Sequence, residues 1–147
     1  MICDFIKTRL PKTKNQNSIM IIAAKYMVIV FGVFLIGAGI LMLLMPEKVR
    51  SILRKAGSTN VINYAEITIR IIPAASMILY SDFSKYPMPF KFFGWFMLAT
   101  SMVLYFIPRK MHHNFSVTSA DILKPLYFQL ISPFSALFGW AIIYNAL

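Results

Sequence analysis

Four uninterrupted apolar stretches limit what this chain can become: 26–45 (YMVIVFGVFLIGAGILMLLM), 61–80, 90–107 and 126–147. Each is 18 to 22 residues long, and about 20 helical residues, rising 1.5 Å apiece, cross the roughly 30 Å hydrocarbon layer of a bilayer. The runs are continuous, whereas the strands of a membrane barrel alternate apolar and polar positions. The expected fold is therefore all-α: a polytopic membrane protein with four transmembrane helices. Composition agrees. Hydrophobic residues make up 59% of the 147 and charged residues 14%, against about 45–50% and about 25% in soluble domains.

The charges lie between the runs, apart from Lys91 at the start of the third and two residues within the second. Glu66 and Arg70 stand four residues apart within "YAEITIRIIPAAS" (64–76). Arg70 is the tenth residue of its run. That puts it about 14 Å from one end, where an arginine costs about 2.5–3.5 kcal/mol on insertion scales. The i, i+4 spacing lets the two side chains pair, and Pro73 frees a backbone carbonyl close by. Two expectations follow. The pair is either a neutralised contact that pins helix packing inside the bundle, or a polar site for an ion, proton, headgroup or partner.

The chain also looks duplicated. "FGVFLIGAGILMLLMPEKVR" (31–50) lies over "FGWFMLATSMVLYFIPRKMH" (93–112) without a gap, and "IIPAAS" (71–76) resembles "ISPFSA" (131–136). The offset is 62 for the first match and 60 for the second. The expected organisation is a polar segment, 1–19, then two tandem hairpins, 20–86 and 87–147. Each hairpin has two spans, so the repeats run parallel, about an axis along the membrane normal. At the offset of 60, Leu126 and Leu130 replace Glu66 and Arg70.

Within each unit the first span ends at a proline and a basic stretch. After Pro46, the residues Val49, Ile52, Leu53 and Ala56 recur at helical spacing, while Lys48, Arg50, Arg54 and Lys55 lie elsewhere on the turn. Proline suits the first position of a helix, and Gly57 suits its end. This predicts a short amphipathic helix lying at the membrane surface. The second copy keeps Pro108, Arg109 and Lys110 but carries a weaker apolar stripe.

The net charge of +10 is explained by membrane topology and anionic headgroups rather than by nucleic acid. Four spans place both termini and the 81–89 loop on one side, and the 46–60 and 108–125 loops on the other. Each side then holds seven Lys and Arg, so the positive-inside rule is tied. The opening "MICDFIKTRLPKTKNQNS" has no apolar core and does not read as a signal peptide. A start at Met20 would leave three against seven and put the basic loops in the cytoplasm. The single Cys3 allows no intrachain disulfide.

The remaining candidates carry less chemistry. His112 and His113 are adjacent and lack companions for a metal set, so they read as interfacial side chains. Asp121 is expected to cap the fourth span. Gln129 and Ser132 are expected to bond between helices, and Ser135 with Gly139, like Gly37-Ala38-Gly39, to permit close helix contact. Trp95, Trp140 and Tyr144 read as interface anchors, and Lys91 is placed to snorkel. There is no hydrolase triad in register, no phosphate loop and no dinucleotide fingerprint.

A span, a proline followed by basic residues, and a second span bearing an arginine (Pro46, Lys48, Arg50 and Arg70) resemble the short two-span inner-membrane proteins of bacteria that have no assigned function. The second repeat departs from that pattern, since Leu130 replaces the arginine. A four-span chain of this length is also similar to the DoxX type, some of which are associated with quinone-linked oxidation, although no motif selects it. The expected function is that of a non-enzymatic accessory or interaction protein of a bacterial inner membrane, without a cofactor or metal. Its partners would be a bilayer with anionic headgroups and either further copies of itself or a larger membrane complex. The alternative is a small transporter or channel using Glu66 and Arg70.

Overall fold

The computed structural model describes the backbone of residues 2–147 and the side chains of residues 16–147. Cys3, Lys7, Arg9, Lys12 and Lys14 thus lie outside the residues whose side chains are described. The described residues form six α-helices: α1 (Ile2–Leu44), α2 (Pro46–Lys55), α3 (Asn60–Tyr80), α4 (Pro87–Phe106), α5 (Arg109–Ile122) and α6 (Pro125–Ala146). A 3₁₀ turn, Ser81–Phe83, follows α3. Among the described residues, four segments are long and apolar enough to span a bilayer: Gln16–Leu44, Asn60–Phe83, Pro87–Phe106 and Pro125–Ala146. Much of their surface stays uncovered, and exposed side chains such as Val30, Phe34, Ile69, Phe96, Phe134 and Leu137 suit contact with lipid.

Local chemistry sets the boundaries. Proline opens α2, α4 and α6 at Pro46, Pro87 and Pro125, where its missing N–H leaves nothing unpaired. The α3 helix begins under Thr59, whose Oγ1 accepts a 3.2 Å bond from the Ile62 N–H, an N-cap interaction. Gly57 ends α2 with φ +67°, in the left-handed region that glycine enters without strain. Packing fixes the same residue, since a Cβ there would lie 3.0 Å from His112 Nδ1 and 3.2 Å from the His113 nitrogen.

The α1 helix packs along α6, α3 packs along α4, and α1 also meets α3. Close approach rests on glycine. A Cβ at Gly139 would meet the Gly32 carbonyl oxygen at 2.5 Å, and one at Gly94 would meet the Ala74 oxygen at 3.1 Å. Gly39 touches the Ser132 backbone likewise, while Gly37 has nothing within 4 Å and so takes no part in the contact expected of it. Along the α1–α6 seam, Ser135 Oγ donates to the Leu35 oxygen at 2.9 Å and Ser132 Oγ to the Gly39 oxygen at 2.6 Å. Gln129 Nε2 donates to the Leu43 oxygen at 3.4 Å. Three polar side chains of α6, three residues apart, thus meet three carbonyls of α1, four residues apart. Such bonds hold helices together where lipid offers no hydrophobic contrast.

The 108–125 loop is not loose. Its α5 helix buries His112, Ser116 and Ala120, one turn apart, and packs against α2. Asp121 does not cap α6. It lies in the last turn of α5 and pairs with Arg54, because Pro125 sets the start of α6 with no side-chain cap.

Candidate functional site

Two polar regions stand out: the ion pair in α3 and the α2–α5 platform at one end of the bundle. The buried side of α3, continued into the turn after it, follows a heptad-like stripe of Asn63, Ile67, Arg70, Ala74, Met77 and Ser81. Every member except Arg70 is buried. The side chain of Arg70 remains 41% exposed and that of Glu66 29%. Arg70 therefore stands in a core position, about 15 Å along α3 from Asn60, where the bundle does not close around it.

The pair itself is loose. Arg70 Nη2 lies 3.6 Å from Glu66 Oε1, beyond the 2.7–3.2 Å range of N–H···O hydrogen bonds. No hydrogen bond to another described residue joins either side chain. A guanidinium offers five donors and a carboxylate about four acceptor sites, so most of this capacity is free. The pairing suggested by the spacing is made, but the pair is not enclosed as a packing pin would be.

The bundle closes elsewhere. Ala24, Val28, Met77, Tyr80, Phe90, Ile142 and Ala146 form the apolar core, at the end that carries the α3–α4 turn. Asn145 seals that end. Its Oδ1 accepts from the Tyr86 N–H at 2.7 Å, its Nδ2 donates to the Tyr86 oxygen at 3.1 Å, and its own carbonyl accepts from the Lys85 N–H at 3.1 Å. Tyr80 Oη donates to the Ala146 oxygen at 3.0 Å. Lys91 pairs with Asp82 at 2.6 Å, and Lys85 lies 4.1 Å from the centre of the Tyr144 ring, which also stacks on Trp140.

At the opposite end, the arginines hold the platform together. Arg50 Nε donates to the Ala120 oxygen at 2.7 Å, Arg109 Nη1 donates to the Ser58 oxygen at 3.0 Å, and Arg54 pairs with Asp121. Cations beside the last carbonyls of α5 suit its dipole. The histidines complete the clamp. His112 Nδ1 lies 2.8 Å from Asn63 Oδ1, and His113 Nδ1 lies 2.9 Å from the Ala56 oxygen. Both acceptors are carbonyl oxygens, so in each ring the Nδ1 carries the proton. Lys48, Lys55 and Lys110, of the basic set read from the sequence, and Lys124 beside them have no partner among the described residues. Arginine, with its rigid fork of donors, takes the structural contacts, and lysine is left facing outward.

Sequence reasoning missed Asn63, Asn145 and the clamping role of the two histidines. A signal was present, since an asparagine in or at the end of an apolar span is costly unless bonded. No protein-family model, curated protein or solved structure matches the chain.

Proposed function

We propose that this multi-pass protein belongs to a bacterial inner membrane and acts without catalysis, as an accessory protein that presents the α2–α5 platform to a partner at the cytoplasmic surface. The observation that carries this reading is the division of labour among the basic residues. Arg50, Arg54 and Arg109 bind the platform to itself, while the four lysines have no hydrogen-bond or ion-pair partner among the described residues. A rigid basic surface fits anionic headgroups and an acidic partner, either a second copy or a larger membrane complex. Placing it in the cytoplasm also follows the positive-inside rule if translation begins at Met20.

Two tandem hairpins are part of this proposal. The seams α1–α6 and α3–α4 support it, as each is built on a glycine: Gly32 against Gly139 and Ile143, and Gly94 against Ala74 and Ile78. These contacts correspond at an offset of 62 for the first spans and 65 for the second. The helix starts, Asn60 and Pro125, also differ by 65. The offset of 60 suggested by the prolines is revised accordingly. Ile131 and Ser135 then take the places of Glu66 and Arg70, and Pro73 has no proline counterpart.

A photo-crosslinking amino acid at positions 48 and 110, activated in native membranes, tests the accessory reading. Discrete adducts of twice the chain's mass or more are expected, and they should vanish when Lys55 and Lys124 are both changed to Gln. Lipid-sized adducts alone would overturn the reading.

The open position of Arg70 favours a second reading, a small transporter working through Glu66 and Arg70. Proteoliposome flux would then fall in Glu66→Gln and Arg70→Leu while membrane abundance holds. Flux unchanged in both variants would exclude it.

A further inference from the structure

We infer that Glu66 and Arg70 form a mid-span binding site for a zwitterionic group, a primary ammonium beside a phosphate, with the phosphate held by Arg70 and the ammonium by Glu66. The inference deepens the second reading by naming what the pair would hold. It concerns binding alone, so it can stand where transport fails.

Three observations lead to it. The two side chains are 3.6 Å apart and partly exposed, and no described residue completes their hydrogen bonds. At this depth water is scarce, and charges that the bundle leaves open take their partners from whatever adjoins them. The second observation is charge balance. A simple anion drawn to Arg70 is repelled by Glu66 beside it, and a simple cation drawn to Glu66 is repelled by Arg70. A ligand bearing both charges a few ångströms apart is attracted by both, and it converts one loose contact into two charge-assisted hydrogen bonds.

The third observation concerns where such a ligand comes from. Ile62 and Ile69 lie at i−4 and i+3 from Glu66 and are both exposed, so the carboxylate is flanked on its own helix face by side chains suited to acyl chains. A bilayer lipid with a phosphoethanolamine headgroup carries the required charges and the apolar tails together. A water-borne phosphoethanolamine carries only the charges.

The test uses the full chain in nanodiscs of equal phosphatidylethanolamine, phosphatidylglycerol and phosphatidylcholine, released for native mass spectrometry. The wild type is expected to keep phosphatidylethanolamine several-fold over the other two. Phosphatidylglycerol lacks the ammonium, and the quaternary amine of phosphatidylcholine donates no hydrogen bond to Glu66. Glu66→Gln should turn the preference to phosphatidylglycerol, and Arg70→Gln should lose the retained lipid. Asp82→Asn, in an exposed contact at the other end of the bundle, should match the wild type. Adding soluble phosphoethanolamine separates the sources: displacement of the bound lipid assigns the site to a water-borne zwitterion, and retention assigns it to the bilayer lipid. Equal retention of all three lipids by the wild type overturns the inference, and that result needs no variant to fold.

Discussion

The two ends of this bundle are built by opposite means. Where α3 turns into α4, apolar side chains of all four spans interlock, and Asn145 seals the turn with three backbone hydrogen bonds. At the platform end no comparable apolar plug forms. Instead Arg50, Arg109, His112 and His113 reach across between α2, α5 and the start of α3 to single acceptors. The difference shows where each kind of force is useful. Deep in the spans, packing and glycine contacts are the means available, since lipid is as apolar as the side chains. At the platform, arginine and histidine clamp carbonyl oxygens instead. Between the two ends lies Arg70, in a core position that neither arrangement closes.

Three substitutions test this contrast, in descending order of effect. Phe90→Ala empties the apolar plug and is expected to cost about 3 kcal/mol, at the low end for loss of a buried phenylalanine. It would be read as a lower midpoint for unfolding in detergent. Asn63→Leu leaves the His112 Nδ1 proton without its acceptor in a buried place. It should cost about 1–3 kcal/mol, and His112→Leu in the same chain should recover part of the loss. If Phe90→Ala proves milder than Asn63→Leu, the clamp rather than the plug is the main source of stability. The smallest effect belongs to Asp82→Asn. It breaks the exposed contact with Lys91, and the midpoint should move by no more than about 1 kcal/mol.

The four spans were legible because length and apolar content suffice to mark a membrane helix. The α2 helix was legible because its apolar stripe, proline start and glycine stop agree. The α5 helix was obscured because the stripe it buries is His112, Ser116 and Ala120, which carries no hydropathy signal. The cap expected of Asp121 failed for a related reason: Pro125 already determines where α6 begins, which leaves the carboxylate to Arg54. In the second span the matching prolines suggest an offset of 60, whereas the helix starts Asn60 and Pro125 differ by 65. In the site, the spacing of Glu66 and Arg70 forecast their contact. It could not forecast that the contact stays open, because openness depends on how α1, α4 and α6 settle around α3.

The seam between α1 and α6 has a consequence for how the protein is made. The α1 helix leaves the ribosome well before α6, its main partner. At about 5–20 residues per second, the chain from α2 through α5 takes several seconds to appear. Throughout that interval the glycine face of α1 is bare to lipid or to the insertion machinery. A chain cut short before residue 125 would keep that face bare indefinitely. An unfinished molecule therefore displays on its first helix a surface that a finished one hides, and a membrane protease could sort the two by that difference alone.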